Sequence, residues 1–458
     1  MGKYFGTDGF RGEAGVDLTA EHAYKIGRFI GWYYSKNTSH KVKVVVGKDT
    51  RRSSYMFEYS IVAGLTASGA DVYMLHVTTT PSVSYVTVGD DFDCGVMISA
   101  SHNPYYDNGI KLINGKGEKI DDSTIELIEA YIDGEYEKIG LSGGDIPFAV
   151  GENVGRIIDY SAGRNRYIGY LISLSRYSFK DFKVGLDCAN GSAWMIAKSV
   201  FEALGARVYA IGITPDGVNI NKGVGSTHIK HLAEFVKTNG LDVGFAFDGD
   251  ADRCIAVDEN GSVVNGDHIL YILAKDLKAT NQLENNTVVT TVMSNLGLYK
   301  ALTAQGIDYV ATAVGDRFVY ENMQKTGNCL GGEQSGHIII KKFATTGDGI
   351  LTAIKVMEAV VGSKLSLSKL VEDVKMFPQR LKNVRVNDKN AVMTNKQVLD
   401  AAKEAERALE GRGRVLLRQS GTEPLIRIMV EAETEEECVS HVDAIADLIV
   451  SLGLSAEE

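Results

Sequence analysis

The chain has little proline, no paired cysteines and no excess of positive charge. Only 6 of its 458 residues are proline, so proline-rich linkers between domains are not expected. Its 5 cysteines lie far apart and include no C-x-x-C pair, which argues against a disulfide framework or a zinc ribbon. The net charge of -11 disfavours nonspecific binding to nucleic acid, because such binding depends on basic surface.

Long apolar runs are also missing. No segment approaches the roughly 18 apolar residues of a membrane span. The first residues, MGKYFGTDGFRG, lack the apolar core of a signal peptide. We therefore predict a cytoplasmic protein that has neither a membrane nor a nucleic acid as a partner. A chain of this length should fold into roughly three or four domains.

Strand–helix–strand patterns, by contrast, occur three times, at residues 43–77, 182–212 and 286–315. Each has a β-rich apolar run, a helix of about 11–15 residues that ends near glycine, and a second strand. This pattern is typical of a βαβ unit, whose two strands are parallel. We therefore predict three topologically similar α/β domains with mixed, mostly parallel sheets.

The C-terminal part has a different pattern and predicts a smaller α+β domain. Its elements are a charged helix at 395–411, strands at 414–421 and 424–433, and a last helix at 434–453. The predicted domains are 1–152, 153–253, 254–370 and 371–458. A hairpin with Asn114 and Gly115 in its loop is also predicted over residues 111–120.

The segment VMISASHNPYYDNG, residues 96–109, raises the first chemical question. An apolar run leads into a polar loop that contains Ser99, Ser101 and His102. A serine hydroxyl is a weak nucleophile, so it needs a base, a metal or a prior modification. Alternatively, Ser99 or Ser101 caps a helix or closes a turn before Pro104. The sequence contains no G-x-S-x-G elbow, so an α/β-hydrolase triad is not indicated.

Three aspartates, Asp248, Asp250 and Asp252, alternate in the segment FDGDADRCIAVD at residues 247–258. In extended backbone, residues two apart share a face, so the carboxylates should converge and bind Mg²⁺ or Ca²⁺. An EF-hand is disfavoured because its sixth position is Arg253 instead of glycine; an acidic, solvated turn is the other alternative. A phosphate carried on Ser101 would supply Mg²⁺ with a further oxygen ligand.

A third motif, RQSGTEPLIR at residues 418–427, combines two arginines with two hydroxyls and a glycine. Such a loop can bind phosphate, since Arg donates in a bidentate manner and backbone amides form a nest. A plain turn between strands is the alternative.

The glycine-rich segment GGEQSGH, residues 331–337, offers Glu333, Ser335 and His337 to a ligand. Glycines let the backbone approach a ligand closely, and these side chains suit sugar hydroxyls or an amine. A glycine-rich connection without a ligand would look the same.

Together these stretches resemble the α-D-phosphohexomutase superfamily. The matching stretches occur in the family's order and span almost the whole chain: FGTDGFRG, ISASHNPYYDNGIK, DGDADR, TAVGDRFV, GGEQSGH and RQSGTEPLIRIMVEA. The resemblance implies four domains around a central cleft. It also implies an enzyme that transfers a phosphoryl group between two positions of a hexose.

The resemblance further implies roles for individual residues. Ser101 would carry the phosphate and bind Mg²⁺ together with Asp248, Asp250 and Asp252. Arg11, Lys111 and His102 would act in catalysis. The residues implied to bind substrate are Arg253, Gly315, Asp316, Glu333, Ser335, His337, Arg418, Ser420, Gly421, Thr422 and Arg427.

The loop GGEQSGH is most similar to that of the branch acting on glucosamine phosphates. This implies interconversion of glucosamine 6-phosphate and glucosamine 1-phosphate through a hexosamine 1,6-bisphosphate, for synthesis of UDP-N-acetylglucosamine and cell-wall precursors. A homodimer is compatible with the resemblance. The alternatives are a glucose or mannose phosphate mutase of the same superfamily and a phosphosugar-binding regulator without turnover. The joint presence of Ser101, Lys111 and three aspartates argues against the regulator.

Overall fold

The computed structural model describes residues 2–420 and 424–456. They divide into two compact units. The N-terminal unit comprises Met1–Met293 and Ile307–Glu372, and the C-terminal unit comprises Ser294–Gly306 and Asp373–Glu458. None of the helices in the described residues is long and apolar enough to cross a membrane.

The first sheet has seven strands and lies at the start of the N-terminal unit. The strands are β1 (Phe5–Gly6), β2 (Gly9–Glu13), β3 (Lys43–Lys48), β4 (Asp71–Val77), β5 (Cys94–Ile98), β6 (Asp107–Asn114) and β7 (Ile157–Asp159). The helices are α1 (Ala20–Asn37), α2 (Arg52–Ala67), α3 (Thr80–Gly89) and α4 (Asp122–Ile132), with 3₁₀ turns at Tyr136–Ile139 and Gly151–Asn153. The strand order is β1-β2-β6-β5-β3-β4-β7.

The second sheet has five strands. They are β8 (Lys183–Asp187), β9 (Arg207–Ile211), β10 (Val243–Phe247), β11 (Cys254–Asp258) and β12 (Val263–Val264). The helices are α5 (Ser161–Ser173), α6 (Ala197–Ala203) and α7 (Lys230–Asn239), with a 3₁₀ turn at Ser192–Met195. The sequence predicted one continuous helix after β8. The helix is instead divided, because Ile196 has the non-helical dihedrals φ -120 and ψ -53.

The third sheet has four strands. They are β13 (Thr287–Thr291), β14 (Asp308–Thr312), β15 (Leu330–Gly332) and β16 (Ile338–Ile340). The helices in this part of the chain are α8 (Gly266–Ala279), α9 (Leu296–Ala304), α10 (Asp316–Thr326), α11 (Gly349–Ser363) and α12 (Leu367–Leu370), with a 3₁₀ turn at Glu284–Asn286. Helix α9 belongs to the C-terminal unit.

The rest of the C-terminal unit has an antiparallel sheet in the order β17-β19-β18, formed by β17 (Gln379–Arg385), β18 (Arg414–Gln419) and β19 (Leu425–Glu431). Its helices are α13 (Lys389–Thr394), α14 (Lys396–Leu409) and α15 (Glu435–Ser451). Apolar side chains of α14 and α15, such as Val398 and Ile445, pack against Ile426 and Ile428 of β19 in one core. This is the predicted smaller α+β domain.

The three α/β sheets share one connection pattern. Counted along the chain, their four common strands are ordered 4-3-1-2: β6-β5-β3-β4, β11-β10-β8-β9 and β16-β15-β13-β14. In each sheet strand 1 is parallel to strands 2 and 3, and strands 3 and 4 are antiparallel. The prediction of three topologically similar α/β domains with mixed sheets is confirmed.

Three strands, β7, β11 and β12, lie beyond the predicted ends of the domains whose sheets they join. β7 pairs with β4 of the first sheet, although the first domain was predicted to end at 152. β11 pairs with β10 in one hairpin, so a boundary after 253 would divide a hydrogen-bonded strand pair. We therefore place the end of the first domain after Asp159 and that of the second after Val264.

Candidate active site

Three of the predicted motifs occupy the same position in the three related sheets. The loop between strands 3 and 4 contains Ser101 in the first sheet, the aspartate triplet in the second, and Glu333, Ser335 and His337 in the third. In each case the chain leaves a buried central strand and returns antiparallel beside it. The shared topology therefore presents the three motifs at equivalent places.

Ser101 and Ser99 have different roles at the end of β5. The Ser99 hydroxyl donates to Asp49 Oδ2 at 2.7 Å and accepts the Ser101 N–H at 3.0 Å, so Ser99 supports the turn. Ser101 is fully buried and its Oγ donates to Asp248 Oδ2 at 2.5 Å. Ser101 therefore presents its hydroxyl to the aspartate triplet.

The aspartate triplet lies in the tight β10–β11 hairpin loop, where Ala251 has a left-handed φ of 57. Carboxylate oxygens of Asp248, Asp250 and Asp252 lie within 4.8 Å of one another, and all three residues are buried. Within the described residues, Asp250 Oδ1 and Asp252 Oδ1 have no hydrogen-bond partner. Burial and repulsion by Asp252 and Asp250 raise the pKa of Asp248 well above its usual range. Buried, converging oxygen donors of this kind fit Mg²⁺, and the strand that follows, β11, is inconsistent with an EF-hand.

Lys111, on β6, compensates part of this negative charge. Its Nζ lies 2.7 Å from Asp250 Oδ2, 3.1 Å from Asp252 Oδ2 and 3.4 Å from Asp8 Oδ2. Burial lowers the pKa of Lys111, but Asp250, Asp252 and Asp8 outweigh burial and hold the pKa well above its usual range. Lys111 is therefore a cation in contact with two carboxylates of the triplet.

Asp8 connects the cations at this site. It pairs with Arg11 and with Lys111, and its Oδ1 accepts from Lys119 Nζ at 2.8 Å. Burial raises the pKa of Asp8, but Lys111, Lys119 and Arg11 hold it well below its usual range. Lys119 also lies 2.7 Å from Asp316 at the start of α10. Sequence reasoning missed both Asp8 and Lys119, although Asp8 lies within the quoted segment FGTDGFRG.

The two candidate histidines differ in charge. His102 Nδ1 lies 3.3 Å from Ser101 Oγ, and burial together with Arg253 and Arg11 lowers the pKa of His102 to about 4. His337 lies between Asp252 at 3.7 Å and Asp316 at 3.5 Å. Burial lowers its pKa, but Asp316 and Asp252 outweigh burial and raise the pKa to about 9. At neutral pH His102 is neutral and His337 is charged.

The remaining predicted residues of the N-terminal unit extend this network. The Arg253 N–H donates to Asp248 Oδ1 at 3.1 Å. Glu333 accepts the Gly315 N–H at 3.1 Å, and burial raises the pKa of its carboxyl. The Ser335 hydroxyl is shielded from solvent, with no hydrogen-bond partner in 2–420 and 424–456.

A cavity of about 540 Å³ adjoins the network. Its lining includes Lys111, Lys119 and Arg317 together with the acidic residues Asp8 and Asp122. The wall of this cavity therefore carries charges of both signs.

In the C-terminal unit, Arg418 of β18 and Arg427 of β19 lie directly opposite each other. Like charges across a strand pair repel, and burial together with Arg427 lowers the pKa of Arg418. Arg427 Nη2 donates to Ser420 Oγ at 3.4 Å. An anion would relieve this repulsion. The predicted positions Gly421 and Thr422 lie outside the described residues.

Comparison with protein families gives a match to all four domains of phosphoglucomutase/phosphomannomutase. Residues 2–138 match alpha/beta/alpha domain I, residues 165–261 domain II, residues 265–377 domain III and residues 381–448 the C-terminal domain.

Related proteins and solved structures agree with this match. A phosphoglucosamine mutase of Lachnospira eligens is 60% identical over 454 residues, and one of Lachnoclostridium phytofermentans is 60% identical over 453; both alignments cover 99% of each chain. A phosphoglucomutase/phosphomannomutase family protein from Burkholderia thailandensis has a TM-score of 0.80 at 22% identity, over 100% of this chain and 99% of that one. Aspergillus fumigatus N-acetylphosphoglucosamine mutase, solved with GlcNAc-6P and magnesium, has a TM-score of 0.69 at 16% identity, over 98% and 96%.

The structural similarities show the fold, and the close relatives with full coverage show the family. The chain belongs to the phosphoglucomutase/phosphomannomutase family of phosphohexomutases, and within it to the phosphoglucosamine mutases.

Proposed function

We propose that the protein interconverts glucosamine 6-phosphate and glucosamine 1-phosphate, with Ser101 as the phosphoryl carrier. The observation that carries this proposal is the 2.5 Å contact between Ser101 Oγ and Asp248 in a buried carboxylate triplet. The close relatives named phosphoglucosamine mutase support the choice of sugar.

The reaction starts with a phosphate on Ser101. A sugar hydroxyl attacks the phosphorus, the bond between phosphorus and Ser101 Oγ breaks, and the hydroxyl proton passes to a base of the site. The resulting hexosamine 1,6-bisphosphate turns around in the site. Ser101 Oγ then attacks its other phosphorus and gives up its proton, the bond between that phosphorus and the sugar oxygen breaks, and the sugar oxygen takes the proton from an acid of the site. Lys111 and Arg11 offset the charge of the transferring group, because fixed cations stabilise a phosphoryl transition state.

Asp248, Asp250 and Asp252, together with the phosphoserine, would hold Mg²⁺. When bound there, Mg²⁺ neutralises charge on the phosphoryl oxygens. The orphaned carboxylate oxygens of Asp250 and Asp252 support this assignment.

Two groups of residues recognise the substrate. Arg418, Ser420 and Arg427 bind the phosphate that is not being transferred. Because they contact the phosphate and not the sugar ring, they accept the phosphate at either end of the sugar. Glu333 and Ser335 contact the sugar, and a carboxylate such as Glu333 suits its 2-amino group. A buried polar contact of this kind can discriminate strongly against a sugar that lacks the partner group.

The test measures conversion of glucosamine 6-phosphate to glucosamine 1-phosphate with Mg²⁺ and catalytic hexosamine 1,6-bisphosphate, beside glucose and mannose phosphates. We expect Ser101→Ala to abolish turnover while substrate still binds. The matched control is Ser173→Ala, since Ser173 is an exposed helix residue whose hydroxyl, among the described residues, bonds only to its own helix. Turnover by Ser101→Ala would contradict the mechanism, and faster turnover of glucose or mannose phosphates would assign the alternative substrate.

A further inference from the structure

We propose that Asn221 and Arg51 are positioning residues that hold Ser101 against the aspartate triplet through its main-chain carbonyl. This inference rests on the proposed function of Ser101. Neither side chain contacts a reacting atom; both contact the carbonyl oxygen of the residue that carries the phosphate.

Ser101 has an unusual backbone conformation that needs support. Its φ is 52, in the left-handed region, which residues with a side chain rarely adopt because of steric crowding. Such a conformation persists only when surrounding contacts over-determine it. The direction of Ser101 Oγ depends on those contacts.

Two donors from different domains meet at the carbonyl. Asn221 Nδ2 lies 2.8 Å from Ser101 O and 3.0 Å from Asn103 O. Arg51 Nη2 lies 3.2 Å and 2.6 Å from the same two oxygens. Each carbonyl therefore accepts two hydrogen bonds, and the turn between them is held from both sides.

Both donors are themselves fixed. Arg51 is fully buried and pairs with Asp49, the residue that also holds Ser99. Asn221 is buried, and its N–H donates to Ala189 O at 2.8 Å, in the loop after β8 of the second sheet. The second domain, which supplies the aspartates, thus also supplies one of the two donors.

The same carbonyl packs against the backbone of the triplet. A Cβ on Gly249, between Asp248 and Asp250, would lie within 3.0 Å of Ser101 O. The serine loop and the aspartate loop are therefore in direct backbone contact. A shift of this carbonyl would move Ser101 Oγ relative to Asp248, and misplacement by about 1 Å can cost roughly 100-fold in rate.

The test variant is Asn221→Gly. Asn221 has φ 59, and glycine adopts this conformation without strain, so the variant removes the side chain with its amide donor and leaves the backbone conformation unstrained. The matched control is Asn281→Gly, because Asn281 also has a left-handed φ, 53, but is exposed after α8 and makes no side-chain hydrogen bond among the described residues. Measurements are kcat, KM, melting temperature, and the rate of Ser101 phosphorylation by hexose 1,6-bisphosphate, followed by intact mass.

We expect Asn221→Gly to lower kcat and the phosphorylation rate by about 10–100-fold, with KM within about twofold, since the sugar contacts are unchanged. Asn281→Gly should match wild type. If Asn221→Gly does not fold, Arg51→Lys takes its place, because lysine keeps the charge beside Asp49 but lacks the planar fork.

A folded Asn221→Gly enzyme with wild-type kcat and phosphorylation rate overturns the inference. In that case the activity of the wild-type enzyme still supports the proposed function. A loss of melting temperature without a loss of rate assigns Asn221 a structural role only and also overturns it. Failure of the wild type to accept phosphate on Ser101 overturns both proposals.

Discussion

Replacement of Lys111 by methionine tests how charge is balanced at the site. Lys111 Nζ contacts three carboxylates, the nearest at 2.7 Å. At an effective dielectric constant of about 20, a pair of unit charges at this distance attracts by about 6 kcal/mol. Desolvation offsets much of the attraction, and removal of one partner of a buried pair costs about 3–5 kcal/mol. We expect Lys111→Met to lose stability by this amount in EDTA.

Mg²⁺ should restore part of the loss, because a divalent cation among the aspartates replaces the missing positive charge. The variant should bind Mg²⁺ at least about tenfold more tightly than wild type, which corresponds to about 1.4 kcal/mol. It should therefore show a larger rise of melting temperature with Mg²⁺. At the same time kcat should fall, since the cation beside the transferring group is gone.

Thermal unfolding in EDTA and across a Mg²⁺ series, with calorimetric titration of Mg²⁺, measures both effects. Lys119→Met is the matched control: Lys119 pairs with Asp8 and Asp316 but not with the triplet. It should lose stability equally with and without Mg²⁺. Wild-type Mg²⁺ affinity in Lys111→Met would refute the reasoning that Lys111 and the metal compensate the same carboxylates.

Three further predictions concern other parts of the molecule. Burial raises the pKa of Asp348 to about 6, so the folded protein binds this proton more tightly than the unfolded chain, and the ionised Asp348 carboxylate destabilises the fold above pH 6. The melting temperature of Asp348→Asn should therefore exceed that of wild type at pH 8, and the difference should narrow towards pH 5. A difference in melting temperature that does not change with pH would contradict this. Arg427 faces Arg418, and the two are proposed to bind phosphate together. Arg427→Met should therefore abolish the rise of melting temperature that inorganic phosphate gives the wild type. An undiminished rise in the variant would exclude the two arginines as a phosphate site. A Cβ at residue 266 would lie within 3.0 Å of Glu333 O, so Gly266→Ala should overpack the loop that carries Glu333 and displace the proposed sugar contact. KM should rise by about tenfold, with a smaller change in kcat. A wild-type KM would indicate that the sugar binds elsewhere.

Local patterns in the sequence were sufficient for most of the fold. The apolar run at 43–47 and the second strand predicted at 71–77 became β3 and β4, which pair in parallel as predicted. Apolar periodicity identifies such elements because each buries one continuous face or stripe. The division of the helix after β8 was not predictable, since a single non-helical residue, Ile196, leaves no compositional signal.

The residues of this loop alone do not decide between the two serines; only the family resemblance assigned the phosphate to Ser101. Ser99 and Ser101 lie in the same loop and each could have closed the turn. In the structure Ser99 supports the turn by its hydrogen bond to Asp49. Ser101 instead contacts Asp248, which lies 147 positions later in the chain. Such a contact depends on how two sheets pack, and no local pattern encodes it.

The sequence by itself determined the secondary structure, the fold class and the residue types available for the chemistry, because these depend on short-range periodicity and on side-chain chemistry. Only the tertiary structure decided the distances between these residues and which polar residues outside the motifs join them. Asp8, Lys119 and Asn221 are ordinary polar residues in glycine-rich or turn segments. Asp8 finds its partners within the first domain, whereas Lys119 reaches Asp316 and Asn221 reaches Ser101 only because separate domains meet. Charge compensation and the support of a strained backbone are properties of that assembled site, since both depend on distances between groups far apart in the chain.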